Sequence, residues 1–187
     1  GNDALMEEFF DQGTLTPEHM LEGLKLAVRE RRLFPVLCAS GLRNIGTDLI
    51  LNFALDNFPA PHERPAMRAT VNGQEIERPV SDGEPVAVFV FKTVADPFAG
   101  RLSYFKICSG VLKNDHNLVS NRSGANERLS HIGALLGKTI QPVTEMHAGD
   151  IGAVAKLKET FTADTLSEKN SPVFYPAVKL PEPSIAY

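Results

Sequence analysis

Residues 133–139 read Gly-Ala-Leu-Leu-Gly-Lys-Thr, a stretch with most of the residue types that cradle nucleotide phosphates. Such a loop requires Gly, four residues and then Gly-Lys-Ser/Thr, after a strand and opening a helix, so that backbone N–H groups converge on one anion. Here three residues separate the glycines, Ile132 stands where the first glycine should be, and Pro142 lies three residues past Thr139. The proline ring would obstruct the first turns of a helix. The stretch therefore reads as a strand end running into a turn.

The other chemistry-bearing residues are dispersed. The five histidines are His19, His62, His116, His131 and His147. None pairs as His-x-x-x-His or stands at metal-ligand spacing from a cysteine, so no metal site and no catalytic residue is assigned. Cys38 sits in an apolar run and is expected to be a buried, inert thiol. Asp150, in His-Ala-Gly-Asp-Ile, precedes an apolar strand and is expected in a turn. Two basic spots, 29–32 and 62–68, fit a helix-dipole complement or a solvated face, with nucleic-acid contact as the alternative.

The elements that must position these residues change character along the chain. Leu5, Met6, Phe9 and Phe10 are at helical spacing. Thr16 and Pro17 form the N-cap and first position of a second helix with Leu21, Leu24 and Val28 on one face. Residues 33–40, Leu-Phe-Pro-Val-Leu-Cys-Ala-Ser, read as a short buried strand despite Pro35, and 46–58 as a helix with Ile50, Phe53 and Ala54 inward. Helix–strand–helix is the pattern of an α/β domain edge, with too few strands for a complete sheet. A Pro- and Gly-rich segment follows, holding the hairpin signal Val-Asn-Gly-Gln at 71–74. From Val86 onward six short strands are expected within about 90 residues, at 86–93, 101–110, 117–120, 128–135, 142–147 and 151–158, the pattern of a small barrel or sandwich. Lys113–Asn117 and Asn121–Asn126 are expected to be hairpin connections, and the tail from Phe174 to read as a linker. The fold class is thus mixed: an α/β remnant followed by an all-β barrel. The expected divisions are 1–58, a linker with a hairpin at 59–84, the barrel at 85–173, and a linker at 174–187.

Composition sets outer limits. The 187 residues are 43% apolar and 22% charged, which excludes global disorder, and the net charge of −4 confines any nucleic-acid contact to a local patch. With only Cys38 and Cys108, the chain suits a reducing cytoplasm and not a disulfide scaffold.

Several segments, in order, resemble bacterial elongation factor G, a translational GTPase that drives translocation on the ribosome. Residues 34–46 resemble its strand and guanine-base loop, matching at Cys38, Ser40, Asn44 and Gly46. Residues 95–110 resemble the opening of its second domain, a β-barrel, at Asp96, Pro97, Phe98, Gly100, Leu102, Phe105, Ser109 and Gly110. Gly124, Glu127 and Arg128 match a further segment. Residues 147–166 align without a gap, matching at Ala148, Gly149, Asp150, Ile151, Leu157, Thr160, Thr162, Asp164, Thr165 and Leu166. Leu-Pro-Glu-Pro-Ser-Ile at 180–185 resembles the approach to the third domain.

The resemblance implies the end of a P-loop GTPase domain joined to that barrel and to the linker beyond. It implies a ribosome-dependent GTPase using GTP and Mg²⁺ in its full length. This piece lacks the phosphate loop, Asp-x-x-Gly and Asn-Lys-x-Asp, and is expected to hydrolyse nothing by itself and to need no cofactor. Ala39, Ser40 and Gly41 would be the surviving part of the base loop. Their order departs from the usual Gly-Ser-Ala, a change expected to alter backbone freedom. Ser130-His131-Ile132 replaces a usual Gly-Arg pair and removes a positive charge. The barrel would pack on the GTPase domain and contact small-subunit ribosomal RNA, with Arg101, Lys106, Lys113, Arg122 and Arg128 as phosphate contacts. The alternatives are a free-standing barrel that binds RNA or protein, and a ribosome protection protein of the tetracycline-resistance type.

Overall fold

The computed structural model describes residues 3–96, 100–137 and 139–177. It divides into two compact units, Gly1–Ala60 and Pro61–Tyr187.

The first unit contains helices α1 (Asp3–Gln12), α2 (Pro17–Arg29) and α3 (Thr47–Asn57). Thr16 caps α2 as expected, its Oγ1 accepting from the His19 amide at 3.3 Å with Pro17 at the first helical position. Glu8 of α1 reaches the same cap, accepting from the Thr16 amide at 3.3 Å and meeting His19 Nδ1. The strand expected at 33–40 does not form. Residues 33–39 have no regular structure, and Phe34 and Val36 are 77% and 91% exposed. A strand needs a neighbour to receive its backbone groups, and the described residues of this unit supply none beyond the single bridge Ser40–Ile45. Pro35 removes one donor as well. Cys38, expected to be buried, is consequently exposed, whereas Cys108 is buried.

The second unit opens with a short 3₁₀ turn (Pro61–Glu63) and the hairpin β1 (Met67–Val71) and β2 (Gln74–Arg78). Asn72 and Gly73 form its turn at φ 51° and 81°, the left-handed pair that a two-residue hairpin loop requires. Then come β3 (Ala87–Asp96), β4 (Gly100–Ser109), β5 (Leu112–Lys113), β6 (His116–Ser120), β7 (Asn126–Leu129), β8 (Gly133–Leu136), β9 (Thr139–Pro142), β10 (Glu145–Met146), β11 (Ile151–Ala155) and β12 (Thr165–Ser167). Eight of these make one curled antiparallel sheet in the order β7-β6-β12-β3-β4-β11-β8-β9. β5 and β10 pair as a separate two-stranded ladder, while Asp115 N to Leu129 O and Val143 N to Ile132 O continue the β6–β7 and β8–β9 hairpins.

Side chains alternate along these strands, so each sends every second residue inward. Val88, Val90, Phe105, Ile107, Leu112, Leu118, Leu129, Ile132, Val154 and Leu166 form one fully buried core. A second, smaller core lies where the β1–β2 hairpin meets β3 and β4, built from Ala69, Ala87, Cys108, Val173 and Tyr175. The hairpin is therefore part of this unit's packing. So is the start of the tail: Phe174 and Thr70 exchange two backbone hydrogen bonds, at 2.8 and 2.9 Å, and Tyr175 is buried.

Three strand expectations change. The segment 128–135 is two strands, broken where His131 takes φ 57°. The 142–147 run splits likewise at Val143–Thr144. Lys113–Asn117 is not a hairpin, because β5 pairs with β10 while β6 pairs with β7 and β12. Asn121–Asn126 does connect the β6–β7 hairpin. The stretch at 133–139 lies in the β8–β9 hairpin: Gly137 at φ 61° serves its turn, whereas Gly133 is a strand residue where a Cβ would strike Ile140 and Gln141; Lys138 lies outside the described residues. Gly149-Asp150 is a turn, closed by Asp150 N to His147 O at 3.0 Å.

Candidate functional site

Between β11 and β12 the chain runs through a loop, 156–164, fastened from several strands. Glu127 on β7 points inward, is 3% exposed, and holds the loop's centre. Its carboxylate accepts from Lys158 N at 3.1 Å, Glu159 N at 2.7 Å and Thr160 Oγ1 at 2.9 Å. A buried carboxylate persists when donors converge on it in this way. Asp164 at the loop's end turns back to accept from Phe161 N at 2.8 Å. Ala163 N donates to Val90 O at 2.7 Å, and Thr162 Oγ1 accepts from Thr93 N at 3.0 Å, so β3 holds the far side.

Two arginines close on this frame. Arg101, from β4, donates to Leu157 O at 2.6 Å and also to Lys158 O. Arg122, from the β6–β7 turn, grips Asp164 through Nε at 2.6 Å and Nη2 at 3.1 Å, and reaches Glu159 O at 2.9 Å. Both guanidiniums stand over the Phe161 ring, 4.7 and 4.8 Å from its centroid. Cation–π contact and the carbonyl acceptors together hold two positive charges beside one half-exposed aromatic. Asp164's side chain pushes the Arg122 pKa further upward, so that charge is permanent. The arrangement can present a rigid cationic and aromatic surface to an anionic polymer. It has no nucleophile or general base aimed at an open position.

The remaining basic candidates have other neighbours. Arg128 on β7 points outward and donates from Nε to Asp115 at 3.1 Å. Ser130 Oγ donates to the same carboxylate at 2.7 Å and, with Arg128, holds the Asp115 pKa below the ordinary carboxylate value. Lys113 is exposed on β5 opposite Glu145, and Lys106 is half-buried on β4 opposite Phe89 and Ile151. Arg101 and Arg122 thus meet on one loop, while Lys106, Lys113 and Arg128 are placed by separate partners. The roles of Glu127 and Phe161 are not foreseen from sequence. The signal for Glu127 is present there nonetheless: in Asn-Glu-Arg-Leu it shares the inward phase with Leu129, and an acid in a core phase must be paired.

Ala39, Ser40 and Gly41 open a tight turn in the first unit. Ser40 N donates to Ile45 O at 2.9 Å, Ile45 N returns to Ser40 O at 3.1 Å, and Ser40 Oγ accepts from Arg43 N at 3.4 Å. Gly46 follows at φ 75°, where an added Cβ would press on Cys38 O at 3.2 Å. Neither Ala39 nor Gly41 has a positive φ, so the exchanged order of alanine and glycine needs no special backbone freedom. The turn leaves the Ser40 hydroxyl proton to donate outward, suited to the edge of a base, with the exposed Arg43 beside it.

The chain's likeness to known proteins bears on both places. Residues 85–169 match the family model of elongation factor G domain 2. The chain superposes on a crystal structure of a protein from Thermus thermophilus with a TM-score of 0.75 and 29% sequence identity, over 98% of this chain and 26% of that one. It therefore spans about a quarter of the length of that structure.

Proposed function

We propose that this chain, whose residues 85–169 belong to the elongation factor G domain 2 family, is a segment of a ribosome-dependent translational GTPase that promotes translocation in the cytoplasm. The observation that carries the reading is the match of the barrel residues to that family. The resemblance of residues 34–46 to the guanine-base loop supports placing the first unit at the end of the GTPase domain. Within that reading, residues 1–58 end the GTPase domain, 59–84 join it to the barrel of 85–173, and 174–187 lead toward the third domain.

The barrel's part is attachment to small-subunit ribosomal RNA. The Arg101–Arg122–Phe161 loop is built for that task because its cations are held in place before binding, so little side-chain entropy is lost on contact. Lys106, Lys113 and Arg128 add phosphate contacts from other faces. In the whole protein GTP and Mg²⁺ supply the phosphoryl chemistry, and this chain's Ala39–Ser40–Gly41 turn contributes only hydrogen bonds to the guanine edge.

Two measurements test the reading. Titration with fluorescent GDP and GTP in the presence of Mg²⁺ is expected to give no saturable micromolar binding to this chain. Co-sedimentation with small ribosomal subunits is expected to fall steeply with salt, and Arg122→Gln to weaken it severalfold. Tight Mg²⁺-dependent nucleotide binding would overturn the assignment of the first unit. Absence of subunit binding at low salt, or binding indifferent to Arg122→Gln, would overturn the role given to the loop.

A further inference from the structure

The register of β3 against β4 shifts between Val90 and Lys92: Val90 lies opposite Phe105, and Lys92 opposite Tyr104. The additional residue is Phe91. A regular strand would alternate its faces; this bulge leaves both Phe91 and Lys92 exposed while Val90 is fully buried. Phe91 is 43% exposed, and its ring lies 6.5 Å from that of Tyr104 at an interplanar angle of 35°. Lys106 follows Tyr104 on the same face of β4 and stands between Phe89 on β3 and the exposed Ile151 on β11. An outward aromatic pair thus lies between two lysines, and the ladder irregularity is what turns Lys92 out beside Phe91.

The surrounding charge is net positive. Among the described residues of β3, β4 and β11, the charged side chains are Lys92, Arg101 and Lys106 against Asp96, with Asp150 just before β11 and Lys156 just after it, in a chain of net charge −4. An open π-face beside ammonium groups is the chemistry that holds unpaired nucleobases, with stacking on the ring and the lysines on flanking phosphates. Paired bases hide their faces in the stack, so a duplex would use the lysines alone. We propose that Phe91 and Tyr104, with Lys92 and Lys106, form a stacking platform for single-stranded RNA. The inference rests on the barrel being an RNA-contacting module, but it uses an aromatic surface other than Phe161 and predicts a preference that phosphate contact alone does not.

The test is fluorescence anisotropy of a labelled oligouridylate with the intact chain at low salt, beside an RNA duplex of the same length. Saturable binding is expected for the single strand and much weaker binding for the duplex. Phe91→Ala should weaken the single-strand affinity about tenfold or more, and Phe91→Trp should retain it. Replacing both Lys92 and Lys106 by Gln should reduce the slope of log affinity on log salt by about 1.4. Thermal melting of Phe91→Ala is expected to match that of the parent, since the side chain removed is half in water. No binding of the oligouridylate, equal binding of the duplex, or a Phe91→Ala variant that binds like the parent would each overturn the platform. Small-subunit co-sedimentation of the same protein separates the failures: retained sedimentation removes the platform alone, and loss of both removes the RNA reading with it.

Discussion

Glu127→Ala isolates what holds the 156–164 loop. The substitution removes an acceptor of three hydrogen bonds from a position 3% exposed. The three donors are not equivalent. Thr160 is fully buried, so its hydroxyl would be stranded without water, at about 1–3 kcal/mol. Lys158 and Glu159 are at the surface, so water can replace the carboxylate on their amides, and each bond lost there is worth roughly 1 kcal/mol. Freeing the native state of a buried charge returns part of this. The balance is a loss of about 3 kcal/mol, or a fall in the barrel's melting temperature of roughly 10 °C for a unit of this size. Circular dichroism melting would measure it, and amide hydrogen exchange would localise it, with protection falling first at Lys158, Glu159 and Thr160. Glu127→Gln keeps the shape but turns an NH₂ group toward donors, and should fall between the two. A Glu127→Ala protein that melts within about 2 °C of the parent, with protection of those amides unchanged, would refute the reasoning.

Three further outcomes are expected. Ala163 is held at φ 72°, strained for any residue with a Cβ, so Ala163→Gly should raise stability by about 0.5–1 kcal/mol; an unchanged or lower melting temperature would show that the loop bears no such strain. His147 Nδ1 meets Asp82 Oδ2 at 2.8 Å, and Asp82 also accepts from Ala148 N at 2.9 Å. The Ala148 amide and then His147 depress the Asp82 pKa, while Asp82, hydrogen-bonded to His147, raises the His147 pKa above 6.5. The histidine's contribution is therefore complete below pH 6.5 and lost as pH rises through its raised pKa, and the aspartate's is present above pH 3.8 and lost as pH falls through its lowered one. NMR titration should place His147 above 6.5 and Asp82→Asn should bring it down; a parent His147 titrating at or below 6.5 would dissolve the pair. Burial pushes the Cys108 thiol up to about 12, so in the native chain a thiol reagent at neutral pH should label exposed Cys38 and reach Cys108 only on unfolding. Rapid labelling of both would contradict the buried placement of Cys108.

Local chemistry was legible without coordinates. Thr16-Pro17 starts a helix because a hydroxyl cap and a fixed φ act within a few residues. Asn72-Gly73 turns a hairpin because both tolerate left-handed backbone. The alternation in β3 and β4 marks strands around a core, and the failure of residues 133–139 to make a phosphate loop follows from one missing residue and one proline. The likeness to elongation factor G was carried by colinear residues at the base loop and through the barrel, and residues 85–169 match its second-domain family. Tertiary structure alone decided the rest. An apolar run containing Cys38 stays exposed because a strand exists only where another accepts its hydrogen bonds. Glu127 meets residues some thirty positions away, Arg122 finds Asp164 forty-two positions on, and Arg101 closes over Phe161 from another strand. Lys92 faces water beside Phe91 because a register shift against β4 turned it out of its regular inward phase. Periodicity reports which face a residue occupies, but which charges meet across that face is set by strand order and register, and these are properties of the curled sheet as a whole.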